Sequence, residues 1–240
     1  MKTIKLTSRQ KAIGVILIFP WYLYFAPIII NYLLQLYTIY ISNDFTVDSL
    51  NAYYNLLSGL VTAIPIIFVF KDFLKENWLV FKKDFLENTI WVLTIGIAMT
   101  YVFSIAGGLI VDLLAPQAGK AANQTLIESL VKSKFLVMFV QTVVIAPIVE
   151  EILFRGLIFN SLRQKNKVWA HLISAFLFGL LHVYTYILAG DMSEWIKLIP
   201  YMMTGLSLSL VYENRQTIVA PILLHATTNL IAVLLMAIMI

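Results

Sequence analysis

Cysteine is absent from this 240-residue chain, and charged residues are scarce at 12%. The first absence removes disulfides, thiolate metal sites, a cysteine nucleophile and lipid anchoring through a thiol. The second weighs more. A soluble domain carries about 25% charged residues, and a chain that is 60% hydrophobic cannot build a water-facing surface from half of that supply. The solvent for most of this chain is lipid. The net charge of +4 is modest and forms no basic stripe, so nucleic acid is not an expected partner. In a membrane protein, basic residues report orientation and contact with anionic headgroups. No internal repeat or low-complexity tract interrupts the chain.

The apolar runs predict an all-α, polytopic transmembrane bundle of about seven spans, forming one domain over residues 1–240. The spans fall at about 12–41, with Pro20 and Pro27 inside, then 54–70, 89–114, 135–160, 169–188, 195–212, with Pro200 and Gly205 inside, and 218–240. Prolines kink membrane helices but are tolerated there. The basic stretch 1–11 and its long apolar sequel are expected to be a retained first span rather than a cleaved signal, because the run is too long for a signal core and no small-residue cleavage site ends it. The charged segment 71–87, with Phe73, Trp78, Phe81 and Phe85, is expected to lie partly in the interface. Within the polar segment 116–134, Leu126, Ile127, Leu130 and Val131 have helical spacing and predict a short amphipathic helix.

Charge placement orients this arrangement. With the N-terminus in the cytoplasm, the inner segments hold Lys2, Lys5, Arg9 and Lys11, then Lys71, Lys75, Lys82 and Lys83, then Arg163, Lys165, Lys167 and Arg215. The outer segments hold only Lys120, Lys132 and Lys134. That bias follows the positive-inside rule and fits an integral protein of the cell membrane of a prokaryote.

Charge in mid-membrane costs about 2.5–3.5 kcal/mol per residue on insertion scales and marks function by default. The C-terminal half, with its motif-bearing core at 135–240, breaks the rule repeatedly. The fourth span reads IAPIVEEILFRGLIF, with Glu150, Glu151 and Arg155. The fifth reads SAFLFGLLHVY, with His182, and the seventh PILLHATTNLIAV, with His225 and Asn229. Glu151 and Arg155 are four apart with the acid first, the favourable order for an ion pair. Glu150 lies about 100° around the helix and needs a partner from another span. His225 and Asn229 share a face. A rise of about 1.5 Å per residue puts Glu150, His182 and His225 roughly 10–20 Å from the inner side, so one bundle can bring them together. His171, Asp112 and Lys197 lie near span ends, where the first is expected at the interface and the other two can snorkel.

A carboxylate beside an imidazole can deprotonate water. A second imidazole and an amide can donate to a developing oxyanion. That set suits peptide hydrolysis without a covalent intermediate. Thr227 and Thr228 are nearby, but no hydroxyl nucleophile is demanded.

The three motifs also resemble a known family. EEILFRG, FGLLH and HATTN are similar to the EExxxR, FxxxH and HxxxN motifs of the CPBP family, which comprises type II CaaX prenyl endopeptidases and Abi bacteriocin-immunity proteins. They stand in the family's order between Glu150 and Asn229, each within a hydrophobic span. The resemblance implies an intramembrane endopeptidase. Glu150 would be the general base, His182 would help to hold the water, His225 and Asn229 would form the oxyanion hole, and Glu151 and Arg155 would be structural or substrate-positioning. It implies a membrane-associated peptide or protein as substrate and, as in the family's archaeal relatives, no metal. The zinc signature HExxH is missing, although Glu150, His182 and His225 could hold zinc if they converge. Two other readings compete. One is a non-catalytic scaffold or immunity protein that keeps the fold. The other is a proton-coupled transporter, which the lack of repeat symmetry disfavours.

Overall fold

The computed structural model of the chain describes residues 4–42 and 44–238. Lys2 and the last two residues of the expected seventh span lie outside them. Among the described residues eight continuous helices follow one another with short joints: α1 Ser8–Tyr40, α2 Val47–Lys83, α3 Phe85–Leu114, α4 Ala122–Ser133, α5 Phe135–Leu162, α6 Lys167–Leu188, α7 Glu194–Arg215 and α8 Val219–Ile238. No strand occurs among the described residues.

Six of these helices, α1, α2, α3, α5, α6 and α8, are long and apolar enough to cross a membrane. Their outward faces are apolar: Ile16, Ile28, Phe68, Val102, Ile105 and Leu113 are all exposed. Continuous apolar exposure of this extent belongs in lipid. The expected sixth span is α7, and its composition falls short of that apolarity because Glu194, Lys197, Glu213 and Arg215 sit toward its ends. It is nonetheless held lengthwise in the bundle. Thr100 meets Ser207 and Gly107 meets Pro200 across α3 and α7, while His171 meets Ser209 and Gly179 meets Met202 across α6 and α7. Both pairings are antiparallel. A Cβ on Gly107 would stand 2.8 Å from the Pro200 Cα, and one on Gly179 3.0 Å from the Met202 nitrogen, so small residues bring these backbones together as they do between helices in lipid.

The charged segment 71–87 continues α2, a helix of 37 residues, as far as Lys83 and then enters α3 at Phe85. Phe70, Phe73, Asn77 and Phe81 recur at helical spacing and are buried, which keeps the helix against the bundle. Asn77 closes the joint to α8: its Oδ1 accepts from the Ile218 amide and its carbonyl from Thr217 Oγ1, both at 2.8 Å. The amphipathic helix is found as α4, with Leu130 and Val131 buried. Lys197 does not snorkel. It is buried, and its Nζ donates to Glu194 Oε1 and to the Lys120 carbonyl, each at 2.9 Å. Glu194 in turn accepts from the first amide of α4, at Ala122, where a helix N-terminus favours a carboxylate.

Wide π-helical turns occupy Trp21–Phe25, before Pro27, and Val140–Ile145, before Pro147. A proline removes one helical donor, and the wider turn re-pairs the backbone locally. The longest such stretch among the described residues, Ile152–Phe159, follows the two glutamates and contains Arg155.

Candidate active site

Glu150 and Glu151 close the short α-helical turn of α5 before the π-helical stretch, and they diverge as the helical period dictates. Glu151 is fully buried. Its Oε1 accepts from Arg155 Nη1 at 2.9 Å and from His225 Nδ1 at 2.9 Å. Arg155, also fully buried, donates from Nη2 to the Gly205 carbonyl on α7 at 2.7 Å, and its guanidinium lies 4.4 Å from the centre of the Phe178 ring on α6. Four helices therefore meet at one ion pair. The expected Glu151–Arg155 pair is present, and the pairing of Glu151 with His225 is a contact that spacing within a helix could not reveal.

Glu150 turns the other way, into a cavity of about 470 Å³. His182, His225 and Asn229 line the same cavity, whereas Glu151 and Arg155 are behind its wall. Glu150 Oε2 is buried and has no hydrogen-bond partner. Tyr22 of α1 is close enough for its hydroxyl to interact with the Glu150 carboxylate. His182 Nδ1 donates to the Phe178 carbonyl at 2.8 Å. A carbonyl only accepts, so this bond puts the proton on Nδ1 and leaves the Nε2 lone pair free. The Tyr201 ring stacks on the imidazole at 4.4 Å and fixes its plane. Asn229 Nδ2 donates one of its two hydrogens to the Thr142 carbonyl on α5 at 2.8 Å, which orients the amide and leaves the other hydrogen available. Thr227 and Thr228 hydroxyls bond to backbone carbonyls of their own helix, at Leu223 and Leu224.

Sequence reasoning missed Tyr22, Gln141 and Tyr201, which line the cavity with the expected residues. Gln141 carried a signal, being an amide inside an apolar span nine positions before Glu150. Tyr22 and Tyr201 carried none among so many aromatics. The amphipathic helix α4 also forms cavity wall, through Asn123, Gln124, Leu126 and Ile127. Hydrogen bonds from Gln124 and then Lys120 hold the Glu128 carboxyl of α4 below its ordinary range. Among the described residues no three His, Asp or Glu side chains are disposed to hold a metal ion, so the zinc set Glu150, His182 and His225 does not fit as arranged.

Residues 132–231 match the family model described as Type II CAAX prenyl endopeptidase Rce1-like. The family resemblance of the three motifs is borne out. The matched segment contains all six polar residues, and the chain has a CaaX-protease-like fold in an integral membrane protein. Among similar proteins, one from Mycoplasma capricolum subsp. capricolum, named "Uncharacterized protein", is 28% identical over 94% of this chain and 68% of its own length. "Putative membrane peptidase YdiL" of Bacillus subtilis is 31% identical over 41% of this chain and 36% of its own length. "UPF0177 protein YxdF" of Lactococcus lactis subsp. lactis is 36% identical over 36% of this chain and 43% of its own length. In the last two cases the match thus takes in less than half of the relative. No solved structure shows a significant match.

Proposed function

We propose that this protein is an intramembrane endopeptidase, CaaX-protease-like, that cleaves a peptide bond of a membrane-associated peptide or protein with water activated by Glu150 and His182. The observation that carries the proposal is the shared cavity: Glu150, His182, His225 and Asn229 come from three helices and face one buried space. The unpartnered Glu150 Oε2 can accept a proton from water, and the free Nε2 of His182 can orient that water as an acceptor. As the hydroxide adds to the scissile carbonyl, negative charge grows on its oxygen. The remaining N–H of Asn229 and an N–H from His225 Nε2 are the donors for that charge.

His225 can donate from Nε2 only if both ring nitrogens carry protons, because Nδ1 already donates to Glu151. The Glu151 carboxylate supports that state. Arg155 and His225 then balance Glu150 and Glu151, and the buried set is neutral, which lipid demands. Collapse of the adduct expels the amine, and the proton held by Glu150 passes to it. A non-catalytic scaffold has no need of a free acid and a free imidazole in one cavity.

The YdiL relative is named a membrane peptidase, in line with this reading, and the bacterial sources of the relatives favour the cell membrane of a prokaryote. The test is cleavage of internally quenched peptides carrying a hydrophobic anchor by protein reconstituted in liposomes. Wild type should cut, and Glu150→Gln and His182→Ala should each abolish turnover without lowering the melting temperature. Cleavage by both variants at the wild-type rate would overturn the proposal.

A further inference from the structure

The two ends of the bundle differ in charge and in openness, and the site communicates with only one of them. The start of α1, the end of α2, the start of α3 and the ends of α5 and α7 share one face: Gln10 bonds to the Val69 carbonyl, Asn160 to the Ile4 carbonyl, and Arg215 to Glu87 and Asn88. Most lysines and arginines of the described residues lie on that face. The opposite face, with α4 and the start of α7, has Lys120, Lys132 and Lys134, while Lys197 there is buried in its pair with Glu194. By the positive-inside rule the lysine-poor face is extracytoplasmic.

From Glu150 toward the lysine-rich face the protein is solid. Glu151, Ile152, Leu153, Phe154, Arg155 and Leu157 are each at most 2% exposed. Toward the lysine-poor face the cavity continues, walled by Gln141 and Thr142 before Glu150 on α5, by Thr185 and Tyr186 after His182 on α6, and by Asn51 and Asn55 at the start of α2. A second hollow of about 330 Å³, lined by Pro27, Ile28, Asn31, Asn51 and Tyr54, shares three of these residues with the first and extends it sideways between α1 and α2.

The wall chemistry is that of a peptide backbone. Asn51, Asn55, Gln124 and Gln141 offer carboxamides, and among the described residues no Lys, Arg or Asp lines the cavity. Gln141 Oε1 is buried without a partner, so it calls for an N–H donor. An extended chain presents alternating N–H and C=O groups that carboxamides pair with in both senses. A charged side chain in the same space would lose water and meet counter-charge only at Glu150 or His225, both of which the reaction itself occupies.

We infer that the substrate reaches Glu150 and His182 from the lysine-poor, extracytoplasmic face, passing between α1 and α2 beneath α4, as an extended and uncharged stretch of polypeptide. The inference rests on the endopeptidase reading for the fate of the peptide, not for where the site opens.

Absence of native cysteine makes thiol labelling clean. Asn51→Cys and Thr185→Cys, on separate helices so that failure of one to fold leaves the other, are treated with a membrane-impermeant maleimide in right-side-out and inside-out cell-membrane vesicles, with exposed Lys75→Cys as the opposite-face control. The two cavity cysteines should label in right-side-out vesicles and Lys75→Cys only in inside-out ones. Labelling of the cavity cysteines from the inside, from both sides or from neither overturns the proposed entry. In parallel, the anchored quenched peptides are compared with versions carrying Lys or Asp in the cleaved stretch. The uncharged peptides should be cut at least tenfold faster, and equal rates would overturn the substrate class. If wild type cuts none of them, the peptide part falls with the endopeptidase reading, while the labelling still decides the side of opening.

Discussion

Glu151 Oε1 lies 2.9 Å from His225 Nδ1, joining two residues that are 74 apart in sequence. On the endopeptidase reading the bond makes Glu151 a positioning residue, acting on the cavity through an imidazole that it orients. Glu151→Gln keeps the size of the side chain and removes the charge. Turnover should fall about 10²- to 10³-fold, the usual loss when one oxyanion donor is disabled, with KM little changed, because the carboxylate does not touch the cavity. A merely structural role would instead lower the melting temperature and leave kcat per folded molecule intact. Reconstituted kinetics alongside thermal unfolding in detergent separate these outcomes.

Arg155 invites a different experiment. It is the cation that makes a fully buried carboxylate tolerable, and it also bridges to the Gly205 carbonyl and the Phe178 ring. Removing one partner of a buried pair costs about 3–5 kcal/mol, so Arg155→Met should unfold at a markedly lower temperature. Arg155→Lys should be intermediate, since an ammonium cannot reproduce the planar fork that meets Glu151 and Gly205 together. The double variant Arg155→Met with Glu151→Leu removes both charges and should recover part of the lost stability while remaining inactive. Additive losses in the double variant would mean that the pair is not coupled.

Much of this site was legible in the chain because lipid makes polar residues conspicuous. Glu150, His182, His225 and Asn229 stood out against apolar runs, and all four line one cavity. The Glu151–Arg155 pair followed from helical spacing. What stayed hidden were contacts between helices: the Glu151–His225 bond, the docking of Glu194 on the start of α4, and Tyr22 beside Glu150 depend on how helices pack, which no period within one helix encodes. The length of α2 was hidden for a related reason. Its charged second half reads as a separate segment until Phe73, Asn77 and Phe81 are found buried along the same helix. The spanning course of α7 is less plain in its composition, because its Ser, Thr and Gly residues face neighbouring helices rather than lipid.

Packing of α3 on α7 gives a stability prediction with a control built into the sequence. A Cβ at Gly107 would meet the Pro200 backbone at 2.8 Å, whereas one at the adjacent Gly108 would meet nothing within 4 Å. Overpacking costs about 1–3 kcal/mol, and a proline backbone inside a helix cannot give way easily. Gly107→Ala should lower the melting temperature and Gly108→Ala should not. Equal melting temperatures for the two would mean that the helices do not approach this closely.

Metal dependence follows from the donor arrangement. Nδ1 of His182 is committed to the Phe178 carbonyl and Nδ1 of His225 to Glu151. The two remaining imidazole nitrogens and Glu150 do not converge as a three-ligand set. Zinc with three protein ligands requires each at about 2.0–2.2 Å from one point. Exhaustive chelation should therefore leave cleavage at the untreated rate, and added zinc should not restore Glu150→Gln. If chelation abolished cleavage and zinc alone returned it, the side chains would have to rearrange around the ion, and His182 would have to turn away from its hydrogen bond or from its stacking on Tyr201. A Tyr201→Leu variant would then gain zinc affinity, which calorimetry on the reconstituted protein can measure. On the water-activation reading the same substitution frees the His182 ring plane and lowers kcat, with no zinc binding to detect.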